Sequence, residues 1–268
     1  DSRPATGAQP ASPPPAAPQS STQAVRLDID SLTLSNARIR YQDLASGQQY
    51  SLEGIQLSTG AITEGQSIPI KLSGFFANNQ PVLRAKAELS GKLRFERSLQ
   101  RYQLEDLQLQ GEASGEPLQG KTLTFSSQGQ LLLDQAAQIA EWSSFKLSAN
   151  QLRAIGELRL RELDKGGQLE GGLSLAPFNL REFLTGLGIE LPAMNDAGAL
   201  EQFELSARLS GNSQSLNLQD LKLRLDDSRF TGQIAVSDWQ RQALRLQLQG
   251  DRLDLDRYLP PKAAEQPS

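Results

Sequence analysis

The sequence predicts an all-β protein, a curved and repeatedly bulged antiparallel sheet with one short helix. Three observations predict it. An apolar residue recurs at i, i+2, i+5 and i+7 in five places, short alternating runs are separated by turn formers, and a multi-strand stretch repeats at an offset of 76 residues. Alternation with period two places side chains on one face of a strand, whereas on a helix the same positions scatter around the wheel.

Residues 1–24 hold six Pro among Ala, Ser and Gln, with almost no large apolar side chain. Such a segment buries too little surface to offset the entropy of ordering it, so it reads as a disordered, semi-extended linker. Residues 25–260 read as the folded part, and 261–268 as a flexible tail.

The five copies are Leu27/Ile29/Leu32/Leu34, Tyr50/Leu52/Ile55/Leu57, Tyr102/Leu104/Leu107/Leu109, Ala140/Trp142/Phe145/Leu147 and Leu216/Leu218/Leu221/Leu223. Between the apolar pairs sit Asp30-Ser31, Glu53-Gly54, Glu105-Asp106, Ser143-Ser144 and Gln219-Asp220. That is one residue more than alternation allows, and a β-bulge absorbs it while returning both pairs to one face. Ser46-Gly47, Asn78-Asn79, Asp164-Lys165-Gly166-Gly167 and Gly211-Asn212 supply the turns of an antiparallel arrangement.

Phe145 through Gly156 matches Leu221 through Gly232 at the offset of 76, with Arg153 against Arg229. Shifted by one residue, Phe178-Asn179-Leu180 through Leu184 falls against Leu253-Asp254-Leu255 through Leu259. Two units, at about 140–184 and 216–259, thus end in a short helical closure, as in modules stacked in one dimension. The helix is expected from Asn179 to about Leu187. Asn179 is its cap, Glu182 stands three residues later, and Gly186, Gly188 and Pro192 stop it. Its apolar side, Phe183, Leu184 and Leu187, is expected to cover the end of a sheet rather than a bilayer surface.

Composition excludes much chemistry. With no His and no Cys, thiol nucleophiles, His-based relays and the usual His or Cys metal sites are unavailable. The net charge is −4 and the cations are dispersed among acids, which argues against a nucleic-acid partner. No window approaches a membrane span, and the first residues lack a signal pattern. Because the chain begins at Asp1, it is expected to be an excised or processed piece whose anchor lies outside it.

Asp226-Asp227, Glu105-Asp106 and Asp254/Asp256 are the carboxylate pairs, but adjacent strand residues point to opposite faces, so turn, bulge and cap roles are expected of them. Tyr50, Tyr102 and Trp142 share the apolar register and read as core. No cofactor, no metal and no catalytic residue is expected. What remains is the extended apolar face, and pattern alone favours the interior of a closed sandwich or barrel over an open groove.

The stretch Ile29 to Asp43, then Ser46-Gly47 and Leu52-Glu53-Gly54-Ile55-Gln56-Leu57, resembles bacterial AsmA family proteins. So do Pro177-Phe178-Asn179-Leu180 to Pro192, Leu221 to Ser228, and Leu253 to Pro260. The resemblance spans about residues 27–260. It implies a periplasmic β-rich body of an inner-membrane protein linked to outer-membrane biogenesis, similar to bridge-like lipid transfer proteins with open hydrophobic grooves. The family's membrane helix and C-terminal region are missing from this stretch.

The resemblance turns the preference to an open trough that shelters or conducts phospholipid acyl chains. Trp142, Phe145, Leu147, Leu218, Leu221, Leu223 and Leu225 are then the groove candidates. A chain of roughly 14–16 carbons costs on the order of 12 kcal/mol to move bare through water, which a groove offsets without catalysis. The alternative is a structural or regulatory module that meets envelope assembly proteins through its edge strands.

Overall fold

The computed structural model describes residues 28–238, 243–252 and 254–261. The expected linker (1–24) and most of the expected tail lie outside the described residues. Two short strands, β1 (Asp28–Ile29) and β4 (Ile62–Thr63), pair with each other. Thirteen more form one open antiparallel sheet in which each strand lies beside the next in sequence. They are β2 (Thr33–Gln42), β3 (Gln49–Thr59), β5 (Ile68–Asn79), β6 (Val82–Glu96), β7 (Arg101–Gly115), β8 (Thr122–Asp134) and β9 (Ile139–Ala149), then β10 (Leu152–Arg161), β11 (Gln168–Phe178), β12 (Phe203–Asn212), β13 (Leu216–Leu225), β14 (Ser228–Asp238) and β15 (Ala243–Gly250). The sheet does not close into a barrel. At roughly 4.8 Å per strand it extends about 60 Å across the strands.

Cross-strand partners share a face, so the register reveals one continuous apolar surface. One row runs through Leu34, Leu57, Leu72, Leu89 and Leu109, and further on through Leu147, Ala154, Leu175, Leu205, Leu223 and Phe230. The opposite face carries residues such as Lys71, Ser90, Gln108, Gln128 and Lys146.

Four of the five expected bulges are present, and each turns on a left-handed residue: Gly54 (φ 58°), Asp106 (51°), Ser144 (50°) and Asp220 (49°). The apolar residue after each is buried: Ile55, Leu107, Phe145 and Leu221. Both neighbouring strands meet it with a small residue. These are Ala37 and Gly74 beside Ile55, Gly91 and Gly129 beside Leu107, Gly129 and Gly156 beside Phe145, and Ala207 and Gly232 beside Leu221. Bulge plus small neighbours bends the strands over a crease, and the crease is the floor of the trough.

The first copy corrects the expectation. Ile29 belongs to β1 in the two-stranded sheet, whereas Leu34 belongs to β2, and the chain bends at Asp30 between them. Leu32 donates to Thr59 Oγ1 and accepts from the Thr59 amide, which anchors the crossing. The bulge of β2 falls instead at Asn36 (φ 53°). Two residues between apolar pairs fit a change of sheet as well as a bulge.

The helix α1 (Leu180–Gly186) forms as expected, with the Glu182 amide donating to Asn179 Oδ1 at 3.0 Å. The repeat is also structural. Phe145 faces Gly156 as Leu221 faces Gly232, and Asp254 caps a 3-10 turn (Leu255–Arg257) where Asn179 caps α1.

A Cβ on Gly156 would overlap the Gly172 carbonyl oxygen and sit 2.7 Å from Phe145 Cζ, whereas one on Gly172 meets nothing within 4 Å. Gly156→Ala is therefore expected to cost about 2 kcal/mol in urea unfolding, and Gly172→Ala to stay within about 0.5 kcal/mol. Equal effects would show that the crease does not need the close approach.

Candidate functional site: an uncovered apolar trough

The trough is bordered by two rims of hairpin turns. One rim, here rim A, carries the β7–β8 and β9–β10 turns, the long β11–β12 connection with α1, and the β13–β14 turn. The other, rim B, carries the β6–β7, β8–β9 and β10–β11 turns.

Among the described residues, every extensive contact between elements joins hydrogen-bonded neighbours, and no second layer packs on the apolar face. Leu72 is 40% exposed, Leu131 38% and Leu246 56%, although all three share the face with the buried floor. Between the crease and rim B lies an apolar depression of about 520 Å³, lined by Leu93, Leu104, Leu133, Trp142, Leu160 and Leu169 among others.

All seven sequence-derived candidates lie in the apolar register. Trp142 lines the depression and stacks at 4.9 Å from Phe145 across the bulge, which places both on one side. Leu147, Leu218, Leu223 and Leu225 are half-buried on the trough wall. Phe145 (2% exposed) and Leu221 (1%) form the floor beneath it, not the wall. Tyr50, Tyr102 and Trp142 keep their expected register, but the core reading is corrected. Tyr102 is exposed and the other two are half-buried, because nothing lies above them.

The sequence-derived candidates do not include the half of the trough on β2 to β8. Its signal was already in the motif copies ending in Leu57 and Leu109, which repeat the spacing of the chosen ones. Ser127, buried beside Leu147 and Leu109, is a polar interruption that alternation did not reveal.

Rim A is closed at one corner. Phe183 of α1 meets Phe178 edge-on at 5.5 Å, and Phe178 meets Phe203 at 5.6 Å, at the rim A end of the apolar face. Past α1, Gly188 (φ +82°) lies against the β7–β8 turn so closely that a Cβ would come 2.7 Å from Gln119 Cβ. The helix thus covers a sheet end, as its apolar side suggested.

The C-terminal turn is pinned to the same rim through Asp226, which is 4% exposed. Its carboxylate accepts from the Leu200 amide (2.9 Å), the Gln202 amide (3.1 Å) and the Tyr258 hydroxyl (2.9 Å). Arg257 beside it reaches Asp196 at 2.7 Å and Asp227 at 3.0 Å. Burial opposes the Asp226 charge, but these donors outweigh it and hold the carboxyl below its ordinary range. Burial and the adjoining carboxylate push Tyr258 up to about 12. The remaining carboxylate pairs have the structural roles expected of them. Asp106 sits in a bulge, bridged to Lys92 at 2.7 Å, and Asp254 caps its turn.

Among the described residues, no group of His, Cys, Asp or Glu could hold a metal, and no helix is long and apolar enough to cross a membrane. With this geometry in place, comparison with known families decides the assignment. The model described as AsmA family matches residues 4–268. The chain belongs to the AsmA family. No curated protein and no solved structure matches it. The open β-groove is therefore the architecture of this AsmA chain, and its sequence resemblance is borne out over essentially the whole length.

Two outcomes follow. Leu223→Asp is expected to leave the fold largely intact by circular dichroism, because the charge stays hydrated on an open wall. Leu221→Asp, placed in the floor, is expected to cost about 4 kcal/mol or to unfold the protein. Equal tolerance at the two positions would contradict the division into wall and floor.

Asp226→Asn is expected to lose about 2 kcal/mol at pH 7. A depressed carboxyl stabilises above its unfolded value, about 3.9, and that stabilisation is lost as pH falls through the folded value. The gap between variant and wild type should therefore close below about pH 4, read as melting temperature against pH. A gap that persists in acid would place the effect elsewhere.

Proposed function

We propose that this AsmA chain is a non-catalytic periplasmic segment that shelters or conducts phospholipid acyl chains along its trough in support of outer-membrane biogenesis. In this reading it is tethered to the inner membrane through an anchor outside the chain. The observation that carries the reading is the uncovered apolar face. Exposed apolar surface costs about 25 cal/mol per Å² relative to burial, so a face continuous through thirteen strands calls for an apolar occupant. An acyl chain fits because it needs continuity and no directional partners, and the bulges preserve continuity through every bend.

A second reading rests on the sheet's β15 edge. β15 is regular, lacks Pro, and leaves Leu244, Leu246 and Leu248 41–56% exposed on the trough face beside its unpaired edge. An edge of this kind accepts another strand, so envelope assembly proteins could bind there.

Mass spectrometry of lipids that co-purify with the folded chain separates the two. The groove reading expects phospholipid in near-stoichiometric amount, lost on Leu223→Asp. Lipid-free protein that captures a partner strand at β15 would favour the edge.

A further inference from the structure

The two edges of the sheet are built differently. β2 is bulged at Asn36, its register slips against β3, and Arg38 and Arg40 stand on its outer face, both 3.5 Å from Glu53. Bulges and charge of this kind blunt an edge against further pairing. β15 has no bulge from Leu244 to Gly250, and Arg245 is its one charged residue.

The alternation of an antiparallel ladder fixes which backbone groups of β15 are free. The Asp251 amide donates to the Arg229 carbonyl at 3.1 Å, so Gln249, Gln247 and Arg245 also direct their backbone groups at β14. The amides and carbonyls of Leu244, Leu246 and Leu248 therefore face away from β14, along the open edge. Among the described residues no strand takes them, and after Gly250 the chain leaves for rim A, where Tyr258 meets Asp226. The same three leucines carry their side chains on the trough face.

The run Leu244-Arg245-Leu246-Gln247-Leu248 complements itself when reversed. With Leu246 on a two-fold axis, Leu246 lies opposite Leu246 of a second copy and Leu244 opposite Leu248 of that copy. These are the residues whose backbone groups are free. Arg245 then lies opposite Gln247 of the second copy, so no like charges meet on the outer face. β2 fails the same test, because pairing about Ile39 sets Arg38 opposite Arg40.

We propose that β15 is a self-pairing edge through which two copies of this chain form a two-fold dimer, with their troughs continuous across the junction. An axis perpendicular to the sheet makes the contact isologous and keeps both apolar faces on one side. This goes beyond the groove reading and does not depend on what occupies the trough.

The test is sedimentation of the whole chain up to about 100 μM, a hundredfold above a micromolar dissociation constant. A dimer is expected. Gln247→Arg sets Arg opposite Arg twice and should weaken it about tenfold, while circular dichroism stays unchanged at this exposed position. Adding Arg245→Glu to that variant should restore the dimer through two opposite-charge pairs. Register is read by disulfides, since the chain has no Cys. Arg245→Cys mixed with Gln247→Cys should cross-link under oxidation, because directly opposed residues lie about 4.5 Å apart. Arg245→Cys alone should not, because its two copies lie on a diagonal about 7–8 Å apart.

A monomer throughout the concentration series would overturn the proposal and leave the groove reading untouched. A dimer indifferent to Gln247→Arg, or one in which Arg245→Cys alone cross-links as fast as the mixture, would overturn the β15 register.

Discussion

The structure depends on one geometric constraint, that a single-layer sheet must bend without turning any apolar side chain to the wrong face. A strand bends most readily by gaining a residue, but one extra residue inverts every side chain after it. The bulges resolve this by placing that residue in the left-handed region, where Gly54, Asp106, Ser144 and Asp220 are found. Gly, Asp and Ser are short enough to sit there, and two of these carboxylates then reach across the outer face, Asp106 to Lys92 and Asp220 to Arg208.

The small residues beside each bulge complete the device. Gly129 serves two bulges, those before Leu107 and Phe145, so neighbouring strands share the space that lets their backbones approach. The crease buries four apolar side chains in a sheet with no opposing layer, and this floor supplies packing while the walls stay open to solvent. Stability and capacity for an apolar occupant are thereby divided between residues two positions apart, Leu221 below and Leu223 above. The α1 corner and the Asp226 cluster tie one rim, and at the other the Gly65 amide on the Phe95 carbonyl and the Glu64–Arg97 pair tie the β4 connection to β6, which leaves the β15 edge available.

Much of this was legible in the sequence because the information is local. Strand period, bulge spacing, the Asn179 cap and the repeat are each contained within a dozen residues. The repeat even anticipates that Phe145 and Leu221 are equivalent. Openness was not legible, since Leu147, Leu205 and Leu223 would alternate identically inside a closed sandwich, and the pattern favoured that reading until the family resemblance turned it. The pairing of each bulge with Gly or Ala required the register, because Gly91 and Gly129 lie on strands to either side of Asp106. Spacing alone also misread Asp30-Ser31, where the chain changes sheets. The Asp226 cluster joins residues 24–32 apart, beyond any local signal.

The central claim is that the apolar face is open in the folded protein. The chain contains no Cys, so single cysteines at Leu131, Leu246 and Leu221 give an unambiguous labelling experiment. Under native conditions the first two are expected to react with a small maleimide at nearly the rate of an unfolded control, while the cysteine at 221 reacts orders of magnitude more slowly. Protection of all three until denaturant is added would mean that a second layer or a second molecule covers the face, and would contradict the account.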